Sequence, residues 1–259
     1  MSEGRWSDLA PRIASAVVMV VVGGAGILAG GMWFKLLIAA SCGAMIWELV
    51  RMLTPAQGSA ALQLGALTAV TQFVAWLMPP VALLPIALAV IPVGMSILKS
   101  RKWAFAGFAL WIALAGIGFV WLRGSLGLTW VAWLICIVVV TDVAGYFAGK
   151  AIGGPKFWPA ISPKKTWSGT AAGWVGALIV GALFATQMGA GLGLCVVSVL
   201  ASMASQAGDV LESALKRRTG TKDSSNLIPG HGGFLDRFDG MMGAMALVLV
   251  LSLFYSPGV

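Results

Sequence analysis

Read from its start, the chain alternates long apolar runs with short polar breaks. A membrane-spanning helix needs about 20 mostly apolar residues. On that measure the runs predict helices near 12–30, 32–53, 60–78, 80–98, 103–122, 127–149, 167–187, 190–215 and 238–256. Gly and Pro interrupt the runs, and Pro79–Pro80 marks a hairpin turn. Strict two-residue alternation is scarce, and 34 glycines favour helices packed through small residues over a barrel. The expected fold is an all-α polytopic membrane protein with about nine transmembrane helices.

Composition sharpens this picture. The chain is 59% hydrophobic and 10% charged, where a soluble domain has about a quarter of its residues charged. The first apolar run lacks a small-residue cleavage site ahead of a soluble domain, so it reads as a membrane helix and not a removed signal. A net charge of +8 could speak for nucleic acid, but in so apolar a chain it reports cytoplasmic loops facing anionic headgroups. With the N-terminus in the cytoplasm, Arg5, Arg12, Arg51, Lys99, Arg101, Lys102, Lys150 and the C-terminal cations fall inside. Of the 17 lysines and arginines only Lys35 and Arg123 then face outward, the asymmetry that orients membrane helices. This predicts N-in, C-out. Cys42, Cys136 and Cys195 lie singly in apolar segments and predict neither disulfide nor zinc site.

The chemistry is unevenly spread, which divides the chain into a helical scaffold over 1–125 and a catalytic part over 126–259. In the scaffold Glu48 is the one ionisable group at appreciable depth, and a local pair with Arg51, three residues on, accounts for it. GxxxG spacings at Gly26/Gly30, Gly145/Gly149, Gly169/Gly173 and Gly189/Gly193 permit close helix contacts and are compatible with a homodimer. The second part has two charged loops, 150–166 and about 216–237.

Five of the nine carboxylates fall between 205 and 239: Asp209, Glu212, Asp223, Asp236 and Asp239. Asp209 and Glu212 share one face of the eighth helix, with Ser205 and Lys216 on the same stripe. Asp236 and Asp239 repeat the spacing where the ninth helix begins. They could be caps complementing a helix dipole. Two acidic pairs on successive helices point instead to a divalent cation in oxygen ligation, and magnesium suits few carboxylates plus phosphate oxygens. Asp142 lies inside an apolar run and needs a partner, whether Lys150, a loop lysine or the metal cluster; a role orienting substrate or a basic side chain is the favoured one. Ser162, Lys164 and Lys165 precede the seventh helix. Lys216, Arg217, Arg218 and Lys222 follow the eighth, interleaved with acids as a metal-bridged triphosphate would require. Glycines at 230, 232 and 233 flank His231, which reads either as a phosphate or acid group or as a turn residue.

Two blocks carry a resemblance. Ser213-Ala-Leu-Lys216-Arg217, then Lys222-Asp223, then Leu227-Ile-Pro-Gly-His231-Gly-Gly-Phe-Leu-Asp236-Arg237-Phe-Asp239 resembles the signature of phosphatidate cytidylyltransferases, the CDP-diacylglycerol synthases. Upstream, Asp142-Val-Ala-Gly145-Tyr-Phe-Ala-Gly149, Gly153-Gly-Pro-Lys156 and Ser162-Pro-Lys164-Lys165-Thr-Trp-Ser168-Gly169 is similar as well. Many members have glutamate where this chain has Ser168, so no carboxylate role is carried to that position. The resemblance spans about 142–239 and implies a magnesium-dependent reaction of CTP with phosphatidate in the inner, cytoplasmic membrane of a bacterium. For that reaction the residues themselves suggest Asp209, Glu212, Asp236 and Asp239 around one or two cations bridging the CTP phosphates, with Asp223 a further ligand or orienting Lys222. Lys164, Lys165, Lys216, Arg217 and Arg237 would neutralise CTP and lipid phosphate, with Ser162, His231 and Asp142 also at the substrates. The nucleophile comes with phosphatidate, so no Ser–His or Cys–His pair is expected. A CTP-dependent lipid kinase is the nearer alternative and a polytopic transporter the more distant one.

Overall fold

The computed structural model describes residues 9–254. Arg5 and the N-terminus, on which the predicted orientation partly rests, lie outside the described residues. Nearly everything described is helical, as expected of an all-α polytopic protein. Among the described residues, eight stretches are long and apolar enough to cross a membrane. The expected last span also forms a helix, Leu235–Ser252, but Asp236, Arg237 and Asp239 crowd its start. By contacts the chain divides into two units, Met1–Ser125 with Thr219–Arg237, and Leu126–Arg218 with Phe238–Val259.

The first unit contains α1 (Leu9–Ala29), α2 (Gly31–Leu53), α3 (Gly58–Ala75), α4 (Pro80–Ala87), α5 (Val90–Ile97) and α6 (Lys102–Trp121). Its core is built from Ile46, Leu49, Leu64, Phe105 and Ile112, all fully buried. At Gly43 a Cβ would stand 2.7 Å from the Gly65 carbonyl oxygen, so α2 and α3 meet backbone to backbone. The single helix expected over 80–98 is broken. Pro85 and Pro92 each lack the N–H that would bond a preceding turn, and between them Ala89 N donates to Ile86 O in a tighter 3.2 Å bond spanning three residues. A π turn, Leu122–Leu126, follows α6. From it Arg123 Nε donates to Ile27 O at 3.0 Å, meeting the carbonyl end of α1.

The second unit contains α7 (Leu128–Ala151), α8 (Trp167–Met188), α9 (Gly193–Thr219) and most of α10 (Leu235–Ser252). The predicted glycine seam is present. A Cβ on Gly145 would lie 3.3 Å from Gly169 O, and one on Gly173 3.2 Å from Thr141 O, so α7 and α8 run in close contact. Gly189 and Gly193, by contrast, bracket a turn: Gly189 caps α8 in the left-handed region at φ 63°. Trp133 Nε1 donates to Ser198 Oγ (3.0 Å) and Thr141 Oγ1 to Ser202 Oγ (2.7 Å), satisfying the buried polar groups between α7 and α9.

Two departures bear on the site. The loop over 150–166 is a small antiparallel hairpin, β1 (Lys156–Trp158) with β2 (Ser162–Thr166), pairing Lys156 with Thr166 and Trp158 with Ser162. Thr166 ends the hairpin by capping α8, its Oγ1 accepting from Gly169 N at 3.2 Å. Helix α9 runs four residues past its expected end, so Lys216, Arg217 and Arg218 occupy its last turn, where cations suit the helix dipole. The second loop is thus shortened to 220–234.

Candidate active site

In the second unit the small residues decide which charges meet. A Cβ on Gly208 would collide with the Asp239 carbonyl oxygen, one on Gly243 with the Ala204 carbonyl oxygen, and one on Gly240 would lie 2.7 Å from Ser205 Oγ. This run of small residues draws α9 and α10 to backbone contact, which sets Asp209, next to Gly208, beside Asp239. The charges whose fields reach Asp239 are Asp209, Lys216 and Asp142. Asp209 is ion-paired with Lys165 of the hairpin and accepts from Ser213 Oγ at 3.2 Å. Glu212, fully buried, is ion-paired with Lys216 one turn on. Arg217 Nε donates to Ile161 O of the hairpin at 3.4 Å. Lys164 is exposed and Ser162 half-buried. Lys150 sits over the Tyr146 ring, 5.9 Å from its centroid. The hairpin base is fixed by Ser168, which donates to Gly153 O at 2.5 Å and contacts Thr166 Oγ1 at 3.0 Å.

The first unit holds the rest of the predicted residues, on the loop 220–234 and the first turn of α10. Asp236 Oδ2 accepts from Ser224 N (2.9 Å), Ser224 Oγ (3.0 Å) and Gly233 N (2.8 Å). Arg237 donates through Nε (2.9 Å) and Nη2 (2.5 Å) to His231 O. Ile228 N bonds Gly232 O at 2.9 Å, closing the glycine turn, in which Gly230 and Gly232 have φ of 74° and 83°. His231 lies within this turn, its Nδ1 2.8 Å from Ser15 Oγ. That contact is a Ser–His pair where none was expected; Ser15 Oγ also donates to Pro229 O at 2.9 Å, so the pair docks the turn on α1. Lys222 and Asp223 are exposed. A cavity of about 560 Å³ opens between the end of α2 and this loop, lined by Trp47, Arg51, Thr221, Ser225 and Asn226 among others.

Glu48 corrects the expectation placed on it. It does not pair with Arg51, which lies over the Trp47 ring at 4.9 Å. Its carboxylate is fully buried and accepts from Ser224 Oγ, Ser225 Oγ, Phe234 N and Leu235 N. Helix geometry permits the local pair, and only the tertiary fold shows the better donors.

Among the described residues no three His, Cys, Asp or Glu side chains come together as a metal-binding group. Magnesium needs few protein carboxylates, filling its octahedron with water and substrate phosphate. Asp209 and Asp239, hard oxygen donors from two helices held in contact, fit that demand. Glu212 is turned to Lys216, and Asp236 is engaged by the backbone of its own loop.

A family model described as the cytidylyltransferase family matches residues 10–255. A protein named phosphatidate cytidylyltransferase from Brucella suis biovar 1 (strain 1330) is 36% identical over 264 residues, covering 98% of this chain and 97% of the relative. Proteins of the same name from Staphylococcus saprophyticus and Bacillus subtilis (strain 168) are 37% identical over 174 residues and 40% over 154 residues. These shorter matches cover 64% and 56% of this chain, and 67% and 56% of the relatives.

Proposed function

We propose that this chain, which belongs to the cytidylyltransferase family, transfers the cytidylyl group of CTP to phosphatidate, giving CDP-diacylglycerol and pyrophosphate. One observation carries the reading within the fold: Lys165 of the hairpin meets Asp209 of α9 on the helix that also pairs Glu212 with Lys216. A triphosphate with its cation needs such alternating charge, because each phosphate oxygen requires a positive neighbour and the cation a negative one. The relative from Brucella suis, named for this activity and aligned over 98% of the chain, supports the same reading.

In the proposed reaction a phosphatidate phosphate oxygen bonds to the α-phosphorus of CTP. The bond from that phosphorus to the oxygen bridging the β-phosphate breaks, and pyrophosphate leaves. The lipid brings the nucleophile, so the protein's work is positioning and charge neutralisation. Asp209 and Asp239 would hold magnesium, which when bound offsets phosphate charge. Lys165 exchanges Asp209 for a phosphate oxygen, and Lys216 and Arg217 stand at the end of the same helix for the remaining charge. Lys164, Ser162 and Asp142 would also act on the substrates, and so would Lys222, Asp223 and His231 of the loop and Arg237 of the first turn of α10.

The proposal places the protein in the bacterial inner membrane, N-terminus and charged loops in the cytoplasm, where CTP is made. A homodimer, suggested by the glycine-spaced helices, belongs to the same reading and is tested by the mass of the solubilised enzyme. The relatives give no support to a lipid kinase or a transporter. The deciding experiment incubates purified protein with phosphatidate, magnesium and CTP labelled at the α- or γ-phosphate. Label from the α-position entering lipid is expected; label from the γ-position alone would make it a kinase, and neither would end the proposal.

A further inference from the structure

Glu48 lies on the buried face of α2, 0% exposed. A carboxylate withdrawn from water must recover its lost hydration from fixed donors. Four do so. Ser225 Oγ at 2.6 Å and Phe234 N at 2.8 Å reach Oε1; Leu235 N at 2.7 Å and Ser224 Oγ at 3.2 Å reach Oε2. Two belong to Ser224 and Ser225 in the first half of the loop 220–234, and two to its junction with α10.

The donors are of a particular kind. Phe234 N and Leu235 N open α10, among the amides a helix leaves without intrahelical partners. An anion there also complements the positive end of the helix. Glu48 thus caps α10 from another helix, while its bonds to Ser224 and Ser225 hold the first half of the loop. From the other side Asp236 bonds Ser224 and Gly233. Between the two carboxylates stands Gly233, where a Cβ would lie 2.7 Å from Glu48 Oε1 and overlap Ser224 Oγ. Glycine is required at 233 by lack of space, independent of backbone dihedral. The clamp fixes Ser224, which directly follows Asp223, both ends of the segment bearing His231, and the first turn bearing Arg237.

We infer that Glu48 is a positioning residue of the enzyme: from within the helical scaffold it sets the conformation of the loop whose charged groups act on the substrates. The catalytic consequence rests on the cytidylyltransferase reading, whereas the clamp itself does not.

The test uses the purified full-length chain and two readouts. Glu48→Gln keeps the shape but turns one acceptor oxygen into a donor facing two donors. Amide hydrogen exchange over 224–235 is expected to quicken about tenfold or more, since two of four bonds are lost. With CTP as the varied substrate, kcat is expected to fall at least about tenfold at an unfolding midpoint within a few degrees of the parent. Glu48→Asp, with the charge retained but withdrawn by one methylene, should fall between the two in both readouts. A purely structural role would lower the folded yield and leave kcat of the folded fraction unchanged; that result overturns the inference, as does unchanged exchange. If Glu48→Gln does not accumulate, Ser225→Ala carries the test, with faster exchange and lower kcat supporting the inference and no change in either opposing it. Should the parent chain transfer no cytidylyl group, the functional reading fails, and the exchange contrast still decides the clamp.

Discussion

Lys165 in β2 is ion-paired with Asp209 in α9, both side chains about one-third exposed. Solvent reaches both partners, which screens the pair and limits its contribution to stability, so that a phosphate or a cation can replace either one. That suits two groups that must face a phosphate and a cation in turn. The hairpin, absent from the helical pattern of the sequence, is what carries Lys165 to the helix.

Removing either member should therefore damage turnover far more than folding. Lys165→Met and Asp209→Asn are each expected to lower CTP-dependent lipid labelling by about 10²–10³-fold, the scale of losing one charge-stabilising group. Yield and thermal midpoint in detergent should stay near the parent values. Retained activity in Asp209→Asn would remove it from the site.

The two acids of α10 should separate by phenotype. Asp239→Asn is expected to raise the magnesium concentration needed for half-maximal activity by about tenfold or more, losing one of two hard oxygen donors. Asp236→Asn should leave that requirement nearly unchanged and instead speed hydrogen exchange at Ser224 and Gly233, whose amides it holds. A magnesium titration on both variants reads the difference.

Gly208→Ala places a methyl group against the Asp239 carbonyl. We expect a cost of about 1–3 kcal/mol from overpacking, visible in thermal unfolding, together with loss of activity as the two acids separate. Gly107→Ala, in α6 with nothing within 4 Å of the added carbon, should be neutral or slightly stabilising.

The orientation can be read by labelling. With Cys42, Cys136 and Cys195 replaced by serine or alanine, Lys102→Cys should react with a membrane-impermeant maleimide only in permeabilised cells. Lys35→Cys should react in intact ones. The reverse pattern would invert the proposed topology.

Much of this architecture was legible in the sequence because bilayer thickness fixes span length, and glycine spacing marked the α7–α8 seam. Local helix rules also foresaw Asp209 and Glu212 on one face. What they could not supply is which charges pair across helices. Glu48 lies within one turn of Arg51, so a local pair satisfied every rule available. Its real donors lie 176 and more residues away and include backbone amides, which carry no residue signature. A signal was still present: Glu48 is the one acid in the apolar run of α2, and an acid inside a membrane helix is functional by default. The hairpin has no signature in the sequence, because a five-residue strand containing Pro163 and two lysines resembles an ordinary polar loop. The break between α4 and α5 was written in Pro85 and Pro92, but hydropathy averages over both.

The clamp also imposes an order on biogenesis. When α2 enters the bilayer, the serines and amides that will hold its acid have yet to be synthesised, and they follow only in the last fifth of the chain. A chain ending short of Ser224 therefore carries the acid of α2 without any of the four donors that offset its burial.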